Sequence, residues 1–119
     1  MEEALVSFGT AKLAKEKLYP QERFKYPKYS TDGYVEYHNC NDGIQVPTQS
    51  ELQKWLRESH KINVIPTMSR FSRTYGYKIY YIEDGKIEVI DCQYIKNNSF
   101  EEAFETGLQN GLELIEVKP

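Results

Sequence analysis

Pro47-Thr48-Gln49-Ser50-Glu51-Leu52-Gln53-Lys54-Trp55-Leu56-Arg57-Glu58 is the stretch around which the chain is organised. Thr48 and Glu51 are spaced as a capping box. The Thr48 hydroxyl can accept from the Glu51 N–H while the Glu51 carboxylate reaches back to the Thr48 N–H. Pro47 disfavours helical backbone in the residue before it, so the helix cannot extend backwards. Leu52, Trp55, Leu56 and Ser59 then recur on one face at helical spacing, and Trp55 is the only tryptophan in the chain. The pattern predicts an amphipathic helix against which the core closes. It is a packing signal and carries no chemistry.

Downstream, Ile62-Asn63-Val64-Ile65 reads as a strand that Pro66 confines to an edge or an end, and residues 67–73 read as a loop or irregular edge. The strongest β signal follows. Residues 75–82 and 87–92 flank Glu83-Asp84-Gly85-Lys86, a hairpin with Asp84-Gly85 in a type I′ turn. That register sets Ile82 opposite Ile87, Tyr80 opposite Val89 and Lys78 opposite Asp91 on one face. It sets Tyr81 opposite Glu88, Ile79 opposite Ile90 and Tyr77 opposite Cys92 on the other. Both faces carry apolar groups, so both are expected to be at least partly covered. A second capping box, Ser99-x-x-Glu102, opens the last helix, whose continuous face is Phe100, Ala103, Phe104, Gly107, Leu108, Gly111, Leu112 and Ile115. Each interior glycine costs up to about 1 kcal/mol of helix propensity. Close packing on the sheet, on the first helix or on a second copy of the chain is the expected compensation.

Upstream, Ser7 is placed to cap a first helix over residues 8–18, with Phe8, Ala11, Ala14 and Leu18 on one face and Tyr19-Pro20 ending it. Residues 19–33 form a connection rich in tyrosine and lysine, long enough to be functional or pinned by its aromatics. Residues 34–38 read as a strand, Asn41-Asp42-Gly43 as a turn and residues 44–46 as a short return strand. The order α-β-β-α-β-β-β-α predicts one α+β domain over residues 1–119: a mostly antiparallel sheet of about three to five strands with three helices packed on it.

Composition bounds the function. A chain of 119 residues buries roughly two-thirds of its unfolded surface and folds without a disulfide or metal. The net charge of −3 is too small to imply nucleic acid or its mimicry, but residues 12–28 carry six basic groups against two acidic, and residues 99–119 five acidic against one basic. Ten tyrosines suit half-buried sheet faces and binding surfaces alike. Glu2 and Glu3 stand where a secretory signal would be basic, and no run approaches the ~20 apolar residues of a membrane span. The expectation is a cytoplasmic chain with Cys40 and Cys92 as free thiols and no membrane partner.

Candidate chemistry is sparse. His38, Cys40, Asp42, His60 and Cys92 concentrate metal-ligand types without the spacing of any zinc module, so neither a metal nor another cofactor is expected. His38 and Cys40 share a strand face and define the one thiol-enzyme or metal-enzyme alternative. Glu101, Glu102 and Glu105 read as the solvated face of a helix start. The segment Arg70-Phe71-Ser72-Arg73-Thr74-Tyr75-Gly76-Tyr77-Lys78 interleaves aromatic and basic groups, so Arg70, Arg73, Tyr75, Tyr77 and Lys78 make a nucleic-acid-binding alternative.

Three pieces carry a resemblance: residues 8–17 (Phe-Gly-Thr-Ala-Lys-Leu-Ala-Lys-Glu-Lys), Val46-Pro47-Thr48-Gln49-Ser50-Glu51 running to Glu58, and Ser99-Phe100-Glu101-Glu102-Ala103 running to Leu108. They resemble a family of small uncharacterised proteins encoded by phages, prophages and mobile elements of gut Bacteroides. In that family Ala is usual where Val46 stands here. The likeness carries no catalytic or ligand residues; it implies an accessory protein of a bacterial cytoplasm. The leading expectation is a non-enzymatic protein-interaction module. Its partner is a protein or a second copy of the chain, with Phe104, Gly107, Leu108 and Gly111 as the interface.

Overall fold

The computed structural model describes residues 4–21, 28–29, 35–36, 43–69, 74–95 and 99–116. Nine elements follow one another: α1 (Phe8–Glu16), β1 (Lys28–Tyr29), β2 (Val35–Glu36), β3 (Ile44–Gln45), α2 (Gln49–His60), β4 (Ile62–Met68), β5 (Tyr75–Glu83), β6 (Lys86–Ile95) and α3 (Phe100–Glu113). They form two antiparallel three-stranded sheets, ordered β2-β1-β3 and β4-β5-β6. The fold is therefore α+β in the expected order, with one strand added. Lys28–Tyr29, inside the tyrosine-rich connection, pairs with both β2 and β3. Tyr29 fixes it there: its hydroxyl donates to the Val6 carbonyl at 2.9 Å and its ring meets Phe8 edge-on. The turn expected at Asn41-Asp42 and the outer residues of the 34–38 strand lie outside the described residues.

The capping box of α2 forms as its sequence requires. Thr48 Oγ1 accepts from the Glu51 N–H at 3.1 Å, and Glu51 Oε1 accepts from the Thr48 N–H at 3.1 Å. Leu52 and Leu56 are buried, and Trp55 is half-buried with its ring edge-on to Tyr19 at 5.2 Å. Ser99 caps α3 by accepting from the Glu102 N–H at 3.1 Å.

α1 stops two residues earlier than its apolar spacing suggests. Lys17 is the C-cap and Leu18 takes a left-handed conformation at φ 71°. The Tyr19 N–H then donates to the Ala14 carbonyl at 2.9 Å and the Leu18 N–H to the Lys15 carbonyl at 3.1 Å, the pair of bonds that defines a Schellman ending. This turn carries Tyr19 into the core and leaves Leu18 in solvent, off the face it was expected to share.

β4 runs straight through Pro66 to Met68, and it can because it is an edge strand, where the missing N–H has no ladder partner to lose. The hairpin turns at Asp84 and Gly85, both at positive φ (51° and 76°), as a type I′ turn requires. Near the turn the expected register holds: Glu83 pairs with Lys86, Ile82 with Ile87, Tyr81 with Glu88 and Tyr80 with Val89. It then shifts, because Ile79 pairs with Asp91, leaving Ile90 as the extra residue of a β-bulge. The expected pairs Lys78–Asp91, Ile79–Ile90 and Tyr77–Cys92 are thereby replaced by Lys78–Cys92 and Tyr77–Gln93. A one-residue slip moves every later side chain to the other face. Cys92, expected opposite Tyr77, lies instead on the other face beside Lys78 and is exposed.

α2 and α3 pack on one face of β4-β5-β6, and α1 packs on α3 and β3. The core joins Leu52 and Leu56 of α2 to Ile62 and Val64 of β4, Tyr77 and Ile79 of β5, and Phe104, Leu108 and Leu112 of α3. Two glycines bring α3 close to the sheet. A Cβ on Gly107 would stand 2.8 Å from Cβ and Cγ of Tyr77 and 2.9 Å from Cγ1 of Val64; one on Gly111 would stand 2.9 Å from Cγ2 of Val64. The interface expected on Phe104, Gly107, Leu108 and Gly111 is therefore corrected. All four are buried against this chain's own sheet and offer no surface to a second copy.

Gly9 supplies the contrast, since a Cβ there meets nothing within 4 Å. Gly9→Ala should raise stability by about 0.5–1 kcal/mol through helix propensity alone. Gly107→Ala should lower it by about 1–3 kcal/mol through overpacking, despite the same propensity gain. Chemical denaturation of the two variants measures both, and equal shifts of the same sign would show that contact with Tyr77 and Val64 does not govern Gly107.

Candidate functional site

The two faces of β4-β5-β6 differ in what covers them. Strand alternation sends Ile62, Val64, Tyr77, Ile79 and Tyr81 towards the helices, where the first four are buried and Tyr81 is half-buried. The outer face is built from rows of paired residues: Ile82 with Ile87, Asn63 with Tyr80 and Val89, and Ile65 with Lys78 and Cys92. Four branched aliphatic side chains lie open there, Ile87 at 68% exposure, Val89 at 57%, Ile65 at 43% and Ile82 at 39%. Lys78 is the only charged residue in these rows. An antiparallel sheet with one solvated face ordinarily alternates apolar-in with polar-out; this one is apolar on both sides. The expectation that both faces are at least partly covered is met on the helix side, while these rows of the outer face stand open. The signal was present in the sequence as Tyr80, Ile82, Ile87 and Val89 on one face of the hairpin. Without the bulge and the packing of α3, however, nothing distinguished the buried face from the open one.

The aromatic-basic segment resolves differently. Tyr77 is 2% exposed beneath α3, with its hydroxyl accepting from the Asn110 amide. Tyr75 is half-buried and packs edge-on against Phe100 at 6.1 Å. Lys78 projects from the opposite face of the strand. Tyr75 and Tyr77 therefore form no base-stacking strip with Lys78, and that part of the nucleic-acid expectation is corrected. Arg70 and Arg73, like His38 and Cys40 of the enzymatic alternative, lie outside the described residues.

A concave region of about 470 Å³ is bordered by Leu5, Ser7, Tyr29, Gln49, Glu105 and Gln109. Its polar groups are committed to one another. Glu105 accepts from the Ser7 N–H at 3.3 Å, from the Ser7 hydroxyl at 3.2 Å and from the buried Thr10 hydroxyl. Gln49 donates to the Glu101 carbonyl at 2.9 Å, and Gln109 donates to Thr10 Oγ1 at 2.8 Å. Glu105 thus puts a negative charge at the N-terminus of α1, where the helix dipole favours it. It is a structural joint rather than the solvated residue its neighbours Glu101 and Glu102 are. Of the basic stretch 12–28, Lys17 reaches the C-terminal stretch, where its ammonium donates to the Ile115 carbonyl at 2.6 Å.

Two titrating groups are perturbed. The Tyr81 hydroxyl donates to Glu83 at 3.0 Å, and that carboxylate, with some desolvation, raises the phenol above its ordinary value. Burial beside Trp55, whose ring lies edge-on at 4.8 Å, lowers His60 below the ordinary 6.5. Among the described residues no group of three or more His, Cys, Asp or Glu side chains could hold a metal ion, and no helix is long and apolar enough to cross a membrane.

Compared with protein-family models, curated proteins and solved structures, the chain matches none.

Because His60 binds its proton less readily in the folded chain than in the unfolded one, its contribution is fully present above pH 6.5 and is lost as pH falls through the lowered folded value. His60→Gln should flatten the stability profile between neutral pH and that value. A His60 ring resonance titrating at or above 6.5 would contradict the assignment.

Proposed function

We propose that this chain is a non-enzymatic protein-interaction module whose partner seats on the outer face of β4-β5-β6. The observation that carries the reading is the exposure of Ile65, Ile82, Ile87 and Val89 in adjoining rows with Lys78 as their only charge. Fully burying a side chain of this kind contributes roughly 1.5–3 kcal/mol. A contiguous group of them left in water is therefore a standing source of association energy. Charge depletion and a central tyrosine, Tyr80, are also what the middle of a protein interface contains. What the face supplies is apolar area. The resemblance of the three helices to small proteins of phages and mobile elements supports the setting, an accessory role in a bacterial cytoplasm.

A photo-reactive amino acid placed at Val89 should give a discrete protein adduct in cells, while the same group at the exposed Glu58 of α2 should give none. Equal labelling at both positions, or none at Val89, would contradict the reading.

A further inference from the structure

Resting on that reading, we infer that the partner on the outer face is a second copy of this chain, stacked sheet on sheet about a two-fold axis.

Charge is the first argument. The rows formed by Asn63, Ile65, Lys78, Tyr80, Ile82, Ile87, Val89 and Cys92 carry one cation and no anion. A strongly acidic partner would find a single ion to pair with, and a basic one none. A two-fold interface needs only that the patch match itself, and its aliphatic positions Ile65, Ile82, Ile87 and Val89 do so without any charge complement. Shape is the second. Ile65, Ile82, Ile87 and Val89, with Tyr80 between them, put apolar side chains from all three strands on one face; apolar sheet faces of this kind stack at about 10 Å in a β-sandwich.

Area then sets the strength. From the strand spacing and rise, the three rows cover about 20 Å by 14 Å of sheet. With side-chain relief a stacked pair removes on the order of 1,000 Å² in total, the lower limit for a specific interface. The dimer is accordingly weak and concentration-dependent rather than permanent.

Sedimentation equilibrium on the full chain tests this, run from about 1 µM to about 500 µM to bracket an interface of this size. The wild-type mass should climb from 14.0 kDa towards twice that value. The double variant Ile87→Lys/Val89→Lys should stay at 14.0 kDa throughout, with its thermal midpoint unchanged because both residues already face water. If the variant associates as strongly as the wild type, another surface is responsible and the inference is overturned. A wild type that stays monomeric at the highest concentration also overturns it. An adduct at Val89 to a different protein would then leave the interaction reading standing, and no adduct would remove both. A marked fall in the variant's thermal midpoint would show that the face is covered by the chain itself. Hydrogen exchange separates the last competitor. Stacking leaves the outward N–H groups of β6 exchanging as in the monomer, whereas their protection on association would assign the dimer to edge-to-edge strand pairing.

Discussion

Val64 lies against α3 with one methyl group towards each of two glycines, Cγ1 beside Gly107 and Cγ2 beside Gly111. The contact leaves no room for a side chain on the helix at either position, so it sets how closely the helix and the sheet approach. Everything around it is built to that spacing. Leu56 and Ile62 close over Gly111, Tyr77 closes over Gly107, and Asn110 bonds the Tyr77 hydroxyl at the margin of the same contact. A Val rather than a larger residue suits the strand position, since its two methyls are held by a stiff χ1. Two glycines in a helix interior, a local conflict with helix propensity, are resolved by this packing.

Such close packing uses α3 on β4 and β5, and the consequences extend to the open side of the sheet. β6 follows β5 as the outer strand, and its bulge at Ile90 turns the residues beyond it, so that Cys92 faces outward beside Lys78. Ile90 itself borders a groove on the helix side with Ile62, Tyr81 and Ile115. Among the described residues, no helix lies over the aliphatic rows of the opposite face. A two-layer domain buries one face of its sheet; a second apolar face belongs to a third layer. The interaction reading follows from that layer count, not from any cluster of reactive groups.

Much of the fold was legible because it rests on local rules. The Thr48–Glu51 box, the Ser99 cap and the Asp84-Gly85 turn each follow from residue types at fixed spacings. Gly107 and Gly111 signalled a close approach, but not whether to the sheet, to α1 or to a second copy. What was not legible depends on tertiary context. Leu18 reads as the last member of an apolar stripe, yet the fold places it in a left-handed cap because Tyr19 has a better use in the core against Trp55. The bulge at Ile90 leaves no mark in an alternating strand, so the register beyond Tyr80 was read one residue out. Tyr75 and Tyr77 look like a stacking surface until the helix that covers them is placed. Glu105 looks like its solvated neighbours until α1 brings Ser7 and Thr10 to it. The candidate site shares that limit: the apolar residues of the outer face were visible, but which of the two faces α3 would choose was not.

The central claim, that Val64 and the two glycines fix the helix-to-sheet distance, is tested most directly by a double-mutant cycle. Unfolding free energies of Gly111→Ala, Val64→Ala and the double variant give the coupling between the two positions. If the added methyl is costly because it meets Val64 Cγ2, truncating Val64 makes room for it. The double variant should then be more stable than the sum of the single effects predicts by roughly 1–2 kcal/mol, within the range seen for residues in contact. Additive effects would mean that Gly111 is required for some reason other than Val64, and would contradict the account.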